Sequence, residues 1–135
     1  MKWLKWFIAG TLAVPLGHQI ALWILNVTGV TDRAPFNMEP TQPFGIPSVI
    51  SLSFWGGVWG VILGLILIRA RGARFWWLAL IVGAIAPTLV AVFVVVPLKG
   101  GSPSAALFVG GLIVNAVWGG MTALFYRMME RRPSP

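Results

Sequence analysis

The stretch Phe75–Leu98 reads FWWLALIVGAIAPTLVAVFVVVPL. It carries no charge, and Thr88 is its one hydroxyl. At ~1.5 Å rise per residue, a helix of this length covers a bilayer core of about 30 Å. Helix is the expected form, because lipid offers the backbone no hydrogen-bond partners and a helix supplies its own. A barrel strand would alternate apolar and polar residues, and this stretch does not.

Three more runs have the same character: about Leu4–Leu25, Ser48–Ile68 and Ala105–Tyr126. The whole chain agrees, with 58% hydrophobic residues, 10% charged residues and a mean hydropathy of +0.86 over 135 residues. Soluble domains have about 45–50% apolar and roughly 25% charged residues. A soluble enzyme, a disordered tail and a fibrous repeat are thereby excluded. The reading is one membrane domain, residues 1–135. Spans cover about 4–25, 48–68, 75–98 and 105–126. An outer loop (26–47), an inner loop (69–74) and an outer turn (99–104) join them, and a cytoplasmic tail (127–135) follows.

The connectors set the orientation. Lys2, Lys5, Arg69, Arg71, Arg74, Arg127, Arg131 and Arg132 fall on one side, and only Arg33 and Lys99 on the other. The positive-inside rule places the first group in the cytoplasm. An even number of spans requires both termini on one side, and the charges agree. The expected fold class is an all-α integral membrane protein: an antiparallel four-transmembrane-helix bundle, N-in/C-in. The expected location is the cell inner (cytoplasmic) membrane, multi-pass. Span one begins like a signal peptide, but Pro15 and the apolar run beyond Leu22 predict a retained anchor.

The net charge of +7 is this topology signal, so nucleic acid is not an expected partner. With no cysteine, one histidine and three acids, no metal or cofactor is expected. The outer loop holds Pro35, Pro40, Pro43 and Pro47, which disfavour helix. Its Phe36, Phe44 and Ile46 predict a loop folded onto the outer mouth of the bundle. The tail Arg131–Pro135 is expected to fray.

Gly56, Gly60 and Gly64 recur every four residues, as do Gly111, Asn115, Gly119 and Ala123. Small residues on one face let helices approach closely in lipid, where packing drives association. They are read as contacts within the chain, with a homodimer seam as the alternative. The chain also echoes itself: Trp55-Gly56-Gly57 recurs as Trp118-Gly119-Gly120, and Pro15 has a counterpart in Pro87. Both hairpins start inside, so such a repeat would be parallel.

His18 and Gln19 interrupt span one in its outer half. Polar groups at that depth face the bundle or a wet cavity. His18 is read as a packing residue, or else as a ligand contact or proton relay. With Ser51, Thr88 and Asn115 these residues can line one outer-half cavity, although pairwise interhelical hydrogen bonds also account for them. Trp3, Trp6, Trp76, Trp77 and Trp23 read as an interface belt. Trp55, Trp59 and Trp118 lie deeper, beside glycines, and Asn115 is one candidate partner for an indole N–H at that depth.

No nucleotide, hydrolase or metalloprotease motif occurs, so an enzyme is not expected. The first functional expectation is an accessory or scaffold subunit acting through helix–helix contacts. The alternative is a small-molecule or lipid transporter or binder, with its cavity near His18, Gln19 and Asn115. Expected partners are membrane lipids and either a second copy or a larger membrane complex.

Overall fold

Four helices are long and apolar enough to cross a membrane: α1 (Lys2–Val27), α2 (Ser48–Leu67), α3 (Ala73–Leu98) and α4 (Ala105–Glu130). The structure is a computed structural model describing residues 1–42 and 44–131. Pro43 and residues 132–135, including Arg132 and the last four residues of the predicted tail, lie outside the described residues. Helix α4 runs past the predicted end at Tyr126. Its last turn is held by an ion pair from Lys5 Nζ to Glu130 (2.7 Å) and by Arg127 stacked 4.3 Å over the Phe75 ring.

Glycines set the helix contacts. A Cβ on Gly10 would lie 2.9 Å from Gly60 Cα, and one on Gly60 would lie 3.0 Å from Gly10 Cα. The α1 and α2 backbones therefore touch. Above and below this point, Gly56 meets Val14, and Gly64 leaves room for the Trp6 ring. The α3–α4 pair repeats the arrangement, with a Gly83 Cβ reaching 2.7 Å from Gly119 Cα. In both pairs the tight approach depends on the missing side chain, as lipid-embedded packing requires. The glycine faces are occupied within one chain.

This geometry also sets the internal echo. Gly60 occupies in the first pair the place that Gly119 occupies in the second. The matching triplets are thus Val58-Trp59-Gly60 and Val117-Trp118-Gly119. The Trp-Gly-Gly match read from sequence is displaced from this register by one helical turn, because Trp-Gly occurs twice in α2.

The two pairs join through a core of Trp6, Val14, Leu63, Leu67, Phe75, Ala79, Trp118 and Ala123. Trp6, predicted for the interface belt, is only 1% exposed and stacks on Tyr126 at 3.9 Å. The space beside Gly64 admits the ring, and the other belt residues stay exposed. The perimeter is apolar, as lipid contact requires: Leu65, Ile81 and Phe93 are each more than half exposed or close to it.

Prolines reshape two helices. Pro15 has no N–H and its ring crowds the carbonyl four residues back. The chain answers with a π-turn over Val14–His18, in which the Gln19 N–H reaches back to the Val14 carbonyl. A second π-turn spans Ala91–Val95, ahead of Pro97, while Pro87 sits within regular helix. Helices α1 and α3 end alike. Beyond α1, the Val30 N–H donates to Leu25 O and the Gly29 N–H to Asn26 O; beyond α3, the Gly101 N–H donates to Val96 O and the Gly100 N–H to Pro97 O. This Schellman geometry needs a left-handed residue, supplied by Gly29 (φ +80°) and Gly100 (φ +83°).

Candidate functional site

The core residues fill the half of the molecule where α1 begins and α4 ends. Beyond Val14 and Trp118 the helices part around a cavity of about 410 Å³, which all four helices and the long loop line. The value lies within the range of small-molecule sites. Both π-turns border it, through His18 on α1 and through Ala91 and Val92 on α3. A π-turn adds a residue to one turn and re-aims the side chains beyond it, and such turns are frequent at functional sites.

Polar side chains make the floor. Gln19 is 1% exposed in the middle of an apolar helix. Its Nε2–H donates to His18 Nδ1 (3.0 Å), and its Oε1 accepts the Phe36 N–H (2.6 Å). With Nδ1 accepting, the His18 ring carries its proton on Nε2. Across the cavity, Asn115 Nδ2–H donates to Thr88 Oγ1 (2.9 Å), and the Thr88 hydroxyl donates to the Ala84 carbonyl. Gly111 makes this pairing possible, since a Cβ there would lie 2.8 Å from Thr88 Cγ2. These contacts engage five of the floor's seven polar side-chain atoms. His18 Nε2 and Asn115 Oδ1 form no hydrogen bond among the described residues.

The roof is the loop between α1 and α2. A short hairpin, β1 (Pro40–Thr41) with β2 (Ile46–Pro47), pairs Pro40 with Pro47 and Thr41 with Ile46. Asn26 Nδ2–H donates to Arg33 O (3.0 Å) and Thr31 O (3.3 Å). The Ser48 N–H donates to Glu39 O, and the Val49 N–H to Asn37 O. The loop therefore docks through its backbone, and Val30, Thr31, Arg33, Ala34 and Asn37 face the cavity. Phe36, Phe44 and Ile46 were expected to cover the mouth but are 45%, 84% and 42% exposed. At Phe36 the amide is captured by Gln19 while the backbone turns through φ +52°; Phe44 lies in the hairpin's turn and Ile46 in its second strand. A left-handed non-glycine residue is strained and persists where surrounding contacts over-determine it.

The structure brings His18, Gln19, Thr88 and Asn115 together at this cavity, with Gly111 beside them. Ser51 does not line it; Ser48 and Leu52 do. Trp55 is 55% exposed and packs edge-on against Phe54. Trp118 is buried below the floor, and its indole N–H donates to the Gly10 carbonyl (3.0 Å), not to Asn115. Sequence reasoning missed Arg33, the one charged side chain in the lining among the described residues. Its signal was its position as one of two basic residues outside the basic end. Among the described residues, no carboxylate lies within ion-pairing distance of it.

The chain matches no protein-family pattern, no curated protein and no solved structure.

Proposed function

We propose that this protein binds a small amphiphilic molecule or lipid in the cavity beneath its long loop. The observation that carries the reading is the contrast between the two halves. One is closed by Trp6, Tyr126 and Trp118. The other is hollow, with a polar floor, an apolar wall and a cationic mouth. A cavity of this kind, largely apolar with a few convergent polar groups, is the usual form of a ligand site. The closed half favours a binder, or one state of a carrier, over an open channel. No catalytic role is included in the reading.

The finer topology belongs to the same proposal. The helices form an antiparallel bundle with both termini in the cytoplasm, in a bacterial-type inner membrane, and the cavity opens on the far side. Contacts of Trp6 with Gly64, Gly10 with Gly60 and Val14 with Gly56 support the antiparallel order. The accessory-subunit reading loses weight because its glycine faces are used internally, leaving an ordinary lipid-facing perimeter.

Native mass spectrometry after gentle extraction from the protein's own membranes tests this function. A reproducible small-molecule mass is expected on the wild type and absent from Gly110→Trp. Gly110 lines the cavity, and a Cβ there would meet nothing within 4 Å, so the ring enters the space without displacing backbone. A heavy assembly with other chains and no bound ligand would overturn the proposal in favour of an accessory subunit.

A further inference from the structure

We infer that the ligand of this cavity is an anionic amphiphile: a carboxylate or phosphate head at Arg33, an apolar chain along the wall, and a hydrogen-bonding group at the far end against His18 and Asn115. The inference rests on the binding reading above and adds the chemical class.

The charge balance of the lining is one-sided. Among the described residues, Arg33 is its only charged member, and no Asp or Glu lines the cavity. Asp32, its sequence neighbour, is outside the lining. The Arg33 backbone is fixed by its N–H donating to Thr31 Oγ1 (3.2 Å) and by its carbonyl accepting from Asn26. This anchors the base of the side chain while the guanidinium makes no ion pair among the described residues. The planar fork of a guanidinium matches carboxylate and phosphate oxygens in pairs. A cationic ligand would meet this charge at the mouth and find no counter-charge inside.

Below Arg33 the wall is apolar. Leu22, Leu25, Val92, Val96 and Leu107 line it. From Ala106 to Asn115, helix α4 descends nine residues, about 14 Å at 1.5 Å each. An inorganic anion would leave that wall unfilled, whereas an acyl or prenyl chain would cover it. The wall ends at two floor atoms without a hydrogen bond among the described residues, the donor His18 Nε2–H and the acceptor Asn115 Oδ1. A hydroxyl at the end of the chain can accept from the first or donate to the second. A bare methyl would strip both of water without replacing their hydrogen bonds.

The test is a native mass spectrometry titration in a neutral detergent, reading one-to-one adducts. The probes are laurate, terminally hydroxylated laurate, dodecyl phosphate, dodecanol and inorganic phosphate. Laurate or dodecyl phosphate is expected to bind about tenfold tighter than dodecanol, the scale of one charge-assisted contact at a wet rim. Whichever of the two binds better identifies the head as carboxylate or phosphate. The terminal hydroxyl is expected to add roughly fivefold, the scale of one neutral hydrogen bond. Inorganic phosphate alone is expected not to bind. Arg33→Gln should reduce the preference over dodecanol to under about threefold, with Arg33→Lys intermediate.

Equal binding of dodecanol and the anions, with Arg33→Gln without effect and Gly110→Trp still abolishing adducts, would overturn the anionic class and leave the cavity as a binding site. Equal laurate binding with and without the hydroxyl would overturn the role given to the floor. Absence of adducts for every amphiphile, or unchanged adducts on Gly110→Trp, would overturn the binding proposal itself. Phosphate binding as tightly as dodecyl phosphate would remove the chain from the inference.

Discussion

Gln19→Leu is the substitution whose consequences are set most directly by the geometry. Gln19 is 1% exposed, and its carboxamide makes two contacts of different kinds. Its oxygen accepts the Phe36 amide at 2.6 Å, tying the loop to the helix, and its nitrogen fixes the His18 ring. Leucine fills similar space and removes both. The part-buried Phe36 N–H then has no acceptor in its docked position, which costs about 1–3 kcal/mol for an unsatisfied donor. The left-handed φ at Phe36 also loses the contact that holds it, so the docked loop has less reason to persist. The loop ends stay tied by Asn26 to Arg33 and by the Ser48 N–H to Glu39, so release should be local. The assay is amide hydrogen exchange of the wild type and variant in the same detergent. A 1–3 kcal/mol loss corresponds to roughly 5- to 150-fold faster exchange at Phe36 and its neighbours, at 1.4 kcal/mol per factor of ten. The helix amides of α4 should be unchanged. Exchange at Phe36 within about twofold of wild type, in a folded variant, would refute the reasoning. It would mean that the other loop contacts suffice to hold the roof.

Four further outcomes follow from the same contacts. Gly110→Ala should stabilise by about 0.5–1 kcal/mol, because the new methyl meets nothing within 4 Å and helix interiors disfavour glycine; Gly111→Ala, one residue on, should destabilise, since its methyl would press on Thr88 at 2.8 Å, and paired thermal melts separate the two signs. Gly60→Val should separate α1 from α2 and lower stability by about 1–3 kcal/mol, the usual cost of overpacking, read by thermal unfolding. Trp118→Phe removes the donor to Gly10 O, for a loss of about 0.6–1.7 kcal/mol, the range for interhelical hydrogen bonds in membranes, and the smaller ring leaves a void in the core that adds to it, read by thermal unfolding. Ser104 Oγ accepts the Leu107 N–H at 3.1 Å, so Ser104→Ala should cost ~1 kcal/mol and speed exchange in the first turn of α4.

Several features of the fold are legible in the sequence. A span is a property of one segment and its transfer into lipid, so length and hydropathy located all four helices. The spacing of Gly56, Gly60 and Gly64 showed a face for close approach, because four residues return nearly to the same side of a helix. His18, Gln19, Thr88 and Asn115 stood out as polar residues at depth, where isolation is costly. What each of them meets was not legible. Trp118 and the Gly10 carbonyl are 108 residues apart, and nothing local to either indicates the other. Trp6 had the position of a belt residue, but a glycine on another helix made room for it in the core. The loop's phenylalanines promised a hydrophobic cap, yet a backbone amide and one buried glutamine determined how the loop docks.

The sequence by itself determined the number of spans, the basic end and the presence of small faces, because each follows from the composition of a continuous segment. Only the tertiary structure decided the register of Gly10 on Gly60 and of Gly83 on Gly119, the outward turn of Trp55, and the hollow between the floor and Arg33. The physical reason is that in lipid both the buried and the exposed face of a helix are apolar, so hydropathy carries no rotation signal. Helix α2, apolar all round, shows this most plainly. Rotation and register come from the fit of one surface into another, and that fit exists only when both helices are in place.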